Sequence, residues 1–213
     1  FEDENKVIKK NKINRGNIYD RNGIILAASV NSKSLYTKPK LISNIDDLST
    51  ILEKILEIDK EIIRKKLSSN KNFVYLKRNI TPIEHQRIID LGEIHLKFEN
   101  EIKRIYPFQN SASHVVGFVN IDQKGQQGIE RFYNESLIIS KDITLSIDIN
   151  LQQSIRKKLI ETINYYNADS GLAVVMDISN GEVLSSVSFP DFNPNNNENF
   201  NEINLINRVV QSN

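Results

Sequence analysis

The chain has 213 residues, 39% of them hydrophobic, which is enough to bury a core in one large domain or two small ones. Its 28 Lys and Arg almost cancel 27 Asp and Glu, so no global field favours polyphosphate or anionic lipid, and nucleic-acid binding falls to a poor reading. With no cysteine, disulfide frameworks, thiolate zinc sites and cysteine nucleophiles are excluded together.

In chain order, Phe1 to Lys12 is a polar, charged leader, and no window approaches the roughly 18 apolar residues of a spanning helix. Asn17-Ile18-Tyr19 and Ile24-Ile25-Leu26-Ala27 flank Asp20-Arg21-Asn22-Gly23, where the Asn-Gly step suits a hairpin turn. From Ile45 to Ser69, Leu48, Ile51, Leu52, Ile55, Leu56, Ile58, Ile62, Ile63 and Leu67 keep helical spacing, which predicts two short helices or one bent one, with Asp46 or Asp47 near the start. Phe73 to Leu76 reads as a strand. Thr81-Pro82-Ile83-Glu84 then combines an N-cap, a proline at the first helical position and a capping-box acid, and this helix should end near Gly92. Ile94 to Ile105 alternates like a half-buried strand until Tyr106-Pro107 breaks it.

A glycine-rich, polar stretch from Gly117 to Gly128 precedes a second part that opens near Asp142, and the domain boundary is expected close to Ser140. Ile143 to Ile147 reads as a strand, and Asn150 to Asn167 as a helix burying Leu151, Ile155, Leu159 and Ile163. Leu172 to Met176 and Val183 to Val187 face each other across Ser179-Asn180-Gly181 as a hairpin. Asn193 to Asn207 has few apolar anchors and is expected to be an exposed or mobile loop. These elements predict an α+β chain.

No set of residues offers a clear catalytic or metal site. His85, His95 and His114 are scattered, and no H-E-x-x-H pattern occurs. Ser111, Ser113 and His114 are sequence neighbours, a poor arrangement for a nucleophile and its base. Two S-x-x-K matches, Ser68 to Lys71 and Ser154 to Lys157, have a spacing that could set a lysine amine beside a serine hydroxyl on a helix. Ser154 lies on the polar side of its helix, where Lys157 stays solvated and protonated, and Ser68 sits at a fraying helix end, so both read as chance matches in a lysine-rich chain. Arg156-Lys157-Lys158 reads as a solvated helix face.

The informative run is Arg15-Gly16-Asn17-Ile18-Tyr19-Asp20-Arg21-Asn22-Gly23-Ile24-Ile25-Leu26-Ala27. On its own it is a charged hairpin, but it resembles the R-G-x-I-x-D-R-x-G-x-x-L-A signature that opens the pedestal of class B penicillin-binding proteins. Arg104-Ile105-Tyr106-Pro107, then His114-Val115-Val116-Gly117-Phe118, then Gly125, Gly128-Ile129-Glu130, Tyr133 and Leu137 are similar to the second and third pedestal motifs, in the same order. Their short spacing resembles the septal subgroup more than the elongation subgroup. Thr144-Leu145-Ser146-Ile147-Asp148 with Leu151-Gln152 looks like the L-T-I-D…L-Q entry into the transpeptidase domain, with Ser146 in place of the usual threonine. Ala168-Asp169-Ser170-Gly171, Gly181-Glu182-Val183-Leu184, Ser188-Phe189-Pro190, Asn193-Pro194-Asn195 and Asn207-Arg208 extend the likeness toward the nucleophile motif.

The resemblance implies an elongated pedestal of hairpins and short helices over 1–140, then the first helix and antiparallel strands of a transpeptidase domain over 141–213, ending before the S-x-x-K serine. The implied function is that of a non-catalytic N-terminal portion of a peptidoglycan D,D-transpeptidase that crosslinks the septal wall by a serine acyl-enzyme. An elongation-type enzyme is the alternative, and a stand-alone binder of anionic surfaces or nucleic acid a further one. The implied partners are a membrane glycosyltransferase and other division-complex proteins. Stem peptide would be met only through the missing catalytic part, and the membrane through a missing N-terminal anchor on the periplasmic side. No cofactor or metal is implied. The structural residues carried over are Arg15, Gly16, Asp20, Arg21, Gly23, Arg104, Tyr106, Pro107, His114, Gly117, Gly128 and Glu130. Burial of charge where motifs meet requires pairing, so Glu130 is expected to pair with at least one of Arg15, Arg21 and Arg104. The glycines are expected to permit turns or close packing.

Overall fold

The computed structural model describes residues 14–196 and 200–211. The chain divides into two compact units, one drawn from Phe1–Ser29 and Arg104–Asn213, the other from Val30–Lys103. Ser140 falls inside the first unit, and the leader before Asn14 lies outside the described residues.

The first unit begins with β1 (Ile18–Tyr19), which turns through Asp20–Gly23 into the start of β2 (Ile25–Thr37). The pairing is antiparallel, Ile18 opposite Ala27 and Tyr19 opposite Ile25, as the Asn-Gly step predicts. Gly23 has φ +80°, a backbone region that costs a side chain but not glycine.

The second unit contains the rest of β2, then α1 (Ile45–Leu56), α2 (Lys60–Leu67), β3 (Val74–Ile80), α3 (Pro82–Asp90) and most of β4 (Leu96–Ile105). Two separate helices thus fill the region of helical spacing. The N-cap of α1 is Asn44, whose side chain accepts from Asp47 N–H, while Asp46 and Asp47 occupy the first turn. Asp59 caps α2 in the same way, accepting from the N–H groups of Glu61 and Ile62. The Thr81–Glu84 capping box at the start of α3 is complete, each side chain bonded to the other's backbone N–H. β3 and β4 both pair with β2. Leu48, Leu52 and Leu56 of α1 and Ile63 and Leu67 of α2 pack with Leu35, Leu76, Ile80, Ile88 and Leu96 in one aliphatic core.

The first unit resumes with the short helices α4 (Ser113–Val116), α5 (Gly128–Phe132) and α6 (Asn134–Ile138), then β5 (Ile143–Thr144). β5 runs parallel to β1 and is shorter than the predicted Ile143–Ile147 strand. The run still follows β1: Leu145 N–H donates to Tyr19 O, and Arg21 N–H donates to Ile147 O. α7 (Ile149–Tyr166) lies against the hairpin of β6 (Gly171–Met176) and β7 (Val183–Phe189). Of the four predicted inward positions on α7, Ile163 is buried while Leu151, Ile155 and Leu159 are half-buried; the deepest are Ile149 and Gln152. A methyl group on Gly171 would lie 2.9 Å from Ile163 Cδ1, so this glycine lets the helix settle onto the strand. The opposite face of β6 exposes Leu172, Val174 and Met176.

After β7 the expected loop is only partly exposed, and a short helix, α8 (Glu202–Leu205), interrupts it. Phe192 and Pro194 are buried, and the Asn195 side chain accepts from Tyr106 N–H and donates to Tyr106 O. This corrects the expectation of an exposed segment over Asn193–Asn207: an asparagine amide can complete a buried backbone pair as a strand neighbour would. Residues 197–199, where mobility was also expected, lie outside the described residues.

Candidate functional site

Arg15 lies just before β1, Arg104 near the end of β4 and Glu130 on α5, and all three are in the first unit. Their side chains meet. Glu130 is fully buried; its Oε2 is 2.6 Å from Arg15 Nε and its Oε1 2.7 Å from Arg104 Nε. Arg15 also donates to Glu130 O (2.6 Å), Gln123 O (3.1 Å) and Asn134 Oδ1 (3.0 Å). Arg104 Nη1 donates to Arg15 O and Ser29 Oγ. Arg104 Nη2 is buried and finds no acceptor among the described residues.

An isolated ion in this environment would cost several kcal/mol to desolvate, so the cluster exists because one carboxylate serves two guanidinium groups with charge-assisted hydrogen bonds. Tyr106 completes it. Its hydroxyl is 3.4 Å from Glu130 Oε1 and accepts from Val119 N–H at 3.0 Å. Burial, and then the Glu130 charge, push the Tyr106 phenol well above its usual range, so it stays protonated and able to donate.

Asp20 performs a second joining role. Fully buried, it accepts from Asn22 N–H and Ile24 N–H through Oδ1, closing the hairpin turn, and from Ile149 N–H at the start of α7 through Oδ2. Asp148, the N-cap of α7, accepts from Leu151 N–H, Asn22 Nδ2 and Asn150 N–H, and its carboxyl is held below the usual range, chiefly by Leu151 N–H. Arg21 stands apart from Glu130 and pairs with Glu182 at 3.3 Å in a half-exposed position.

Four of the motif glycines, Gly16, Gly117, Gly125 and Gly128, admit the backbone more closely than a side chain would allow. A Cβ on Gly117 (φ +78°) would lie 1.8 Å from Gln127 O, and one on Gly16 would lie 2.2 Å from Lys141 O. Pro107 is exposed at the break after β4. His114 is buried, with its ring edge-on to Phe192 and Nε2 2.9 Å from Asn204 O. Burial pulls its pKa below the usual value, and the neutral ring donates to that carbonyl.

The two S-x-x-K serines turn back on their own helices: Ser68 Oγ donates to Arg64 O and Ser154 Oγ to Asn150 O, both at 2.9 Å. The site is therefore a clamp between segments, with hydroxyls and cations committed to structure.

Sequence reasoning missed the groups that finish the clamp, Ser29, Asn134 and the Gln123 carbonyl. It also missed the full saturation of Gln152, which donates to Ser111 O and Ser186 O and accepts from Ser185 Oγ and Ser186 N–H. A chain crowded with asparagine and serine gives Ser29, Gln123 and Asn134 no distinguishing signal, and Gln152 was marked only by the L-Q likeness, not by its bonding.

Residues 10–158, more than half of the chain, match the model of the penicillin-binding protein dimerisation domain. The chain belongs to that family. Among curated relatives, the chain is 30% identical to the probable peptidoglycan D,D-transpeptidase PenA of Neisseria meningitidis, over 90% of this chain and 39% of the relative. It is 32% identical to the peptidoglycan D,D-transpeptidase FtsI of Buchnera aphidicola subsp. Schizaphis graminum, over 92% of this chain and 40% of the relative. The chain thus spans about two fifths of the length of these relatives. Among solved structures, its fold is similar to that of a complex between penicillin-binding protein PBP2 and MreC from Helicobacter pylori, with a TM-score of 0.65 and 23% identity, covering 86% of this chain and 43% of that one. A peptidoglycan synthetase from Bifidobacterium adolescentis gives a TM-score of 0.57 at 23% identity, covering 87% of this chain and 45% of that one.

Proposed function

We propose that this chain is the non-catalytic N-terminal portion of a septal peptidoglycan D,D-transpeptidase, which positions the catalytic part and offers surface to division partners. Under this reading residues 1–140 are the pedestal and 141–213 open the transpeptidase domain. The parent acts on the periplasmic side of the inner membrane, anchored by a segment before Phe1, with a membrane glycosyltransferase among its partners.

The observation that carries the reading is the joining of Arg15, Arg104 and Glu130, each from a different pedestal motif, in one buried clamp. Such a clamp fixes the mutual placement of segments far apart in sequence, which suits a positioning role. The relatives named as D,D-transpeptidases support the reaction of the parent.

A fluorescent penicillin tests the non-catalytic part of the proposal, because it acylates an active serine stoichiometrically. The 213-residue chain is expected to remain unlabelled. Covalent labelling at Ser68 or Ser154 would refute the assignment, and failure to co-purify with a division glycosyltransferase from detergent would remove the partner claim.

A further inference from the structure

The second unit contains a cavity of about 610 Å³ lined by Lys33 on β2, Asn79 on β3, Thr81 and His85 at α3, and Lys103 on β4, with Val30, Ile80 and Pro82 as apolar wall. Ligand sites usually have volumes on the order of 300–1,000 Å³ and combine an apolar wall with a few converging polar groups.

Its charge is one-sided. Two lysines and a histidine line it, and no Asp or Glu does. Some cations of the same unit pair with carboxylates, Lys77 with Glu84, Arg78 with Glu101 and Arg64 with Asp46. Lys33 instead places its ammonium 3.1 Å from His85 Nε2 and 5.9 Å from the Phe98 ring centroid. Burial, followed by the Lys33 charge, lowers the His85 pKa, so the imidazole is neutral. With Nε2 accepting from Lys33, its proton sits on Nδ1, a donor. Lys103 has no carboxylate partner among the described residues.

The backbone here departs from a regular ladder. The β2–β3 register shifts between Lys33 and Leu35, Asn79 adopts φ +53°, and Asn79 N–H is taken by Ser34 Oγ at 3.1 Å. Register shifts re-aim side chains, and this one lies where Lys33 and Asn79 reach the cavity wall. The left-handed conformation of a non-glycine residue is a local cost that a binding site commonly retains.

We propose that this cavity binds a small sugar-like ligand bearing a single carboxylate or phosphate. The anion would sit between Lys33 and Lys103, which lack acidic partners among the described residues. The hydroxylated body would meet Asn79, Thr81 and the His85 donor and rest against Pro82 and Ile80. No residue of the Arg15–Glu130–Arg104 clamp takes part, so the site is independent of the proposed positioning function.

Amide and imidazole NMR on the 213-residue chain provides the test, with D-glucuronate, D-glucose 6-phosphate, D-glucose and inorganic phosphate as separate probes. The two sugar anions are expected to shift Lys33, Asn79, His85 and Lys103, with a response that weakens as salt rises. Lys33→Gln and Lys103→Gln are each expected to weaken binding by about tenfold or more. A response to only one sugar anion would identify carboxylate or phosphate as the source. An equal response to glucose, binding of inorganic phosphate as tight as that of the sugars, no shift with either sugar anion, or unchanged affinity in both lysine variants would overturn the proposal. The comparison of glucuronate with glucose on the unaltered chain decides the matter even where a variant loses its fold.

Discussion

The two compact units solve the problem of holding a core together in opposite ways. Val30–Lys103 relies on leucine and isoleucine presented by two amphipathic helices, and its buried carboxylates Glu84 and Glu101 are each paired with one half-buried cation, Lys77 and Arg78. The other unit has a smaller apolar cluster, built around Ile18, Leu26, Tyr106, Val116, Leu137 and Ile149, and sets a fully buried carboxylate between two buried guanidinium groups. The aliphatic solution is non-directional and tolerates repacking, whereas the ionic one demands fixed geometry. The unit with the ionic solution is also the one in which the family motifs concentrate.

The comparison would break most sharply at Glu130. Glu130→Ala strands two buried cations and is expected to remove about 3–5 kcal/mol of stability, seen in chemical denaturation, with faster amide exchange in Phe1–Ser29 and Arg104–Asn213. Val30–Lys103 is expected to keep its protection, and uniform loss across both units would mean that the distinction fails. Leu52→Ala is the reciprocal experiment, deleting a fully buried side chain from the aliphatic core. It is expected to cost about 3 kcal/mol, with the exchange increase confined to Val30–Lys103.

The smallest expected effect is a pH dependence. The folded-state pKa of His114 is lowered by burial, so the unfolded chain takes up a proton that the native one refuses. The stability it contributes is complete above the unfolded value, near 6.5, and is lost as pH falls from there through the lower folded value. His114→Gln is expected to flatten that part of the stability profile. An unchanged slope in the variant would assign the effect to other groups.

Legibility in the sequence followed the same division. The helices of the second unit could be read from periodicity and capping: Leu48, Leu52, Leu56 and Ile63 kept helical spacing, and Thr81 with Glu84 announced a capping box that the structure completes, but β2 was read no further than Ala27 although it runs to Thr37. In the first unit, periodicity misjudged α7, because its deepest polar residue is Gln152, and a buried amide looks like a surface residue to any hydrophobic pattern. Asn195 was misread for the same reason, since its burial depends on Tyr106, 89 residues away. The pairing of Glu130 with an arginine could be anticipated from the electrostatics of burial, but the choice of Arg15 and Arg104 over Arg21 depends on tertiary placement.

The separation of Arg15 from Glu130 by 115 residues also orders events during synthesis. Val30–Lys103 has all the residues of its core once residue 103 has emerged, so it can fold early from contacts near in sequence. Arg15 must wait with its charge unmet until α5 is made, and the unit that holds the clamp closes last. A chain interrupted between residues 104 and 129 would therefore carry a finished aliphatic unit beside an N-terminal hairpin whose guanidinium still seeks its carboxylate. Such an unmet cation keeps that segment in water, which disfavours premature burial of the hairpin before its partner arrives.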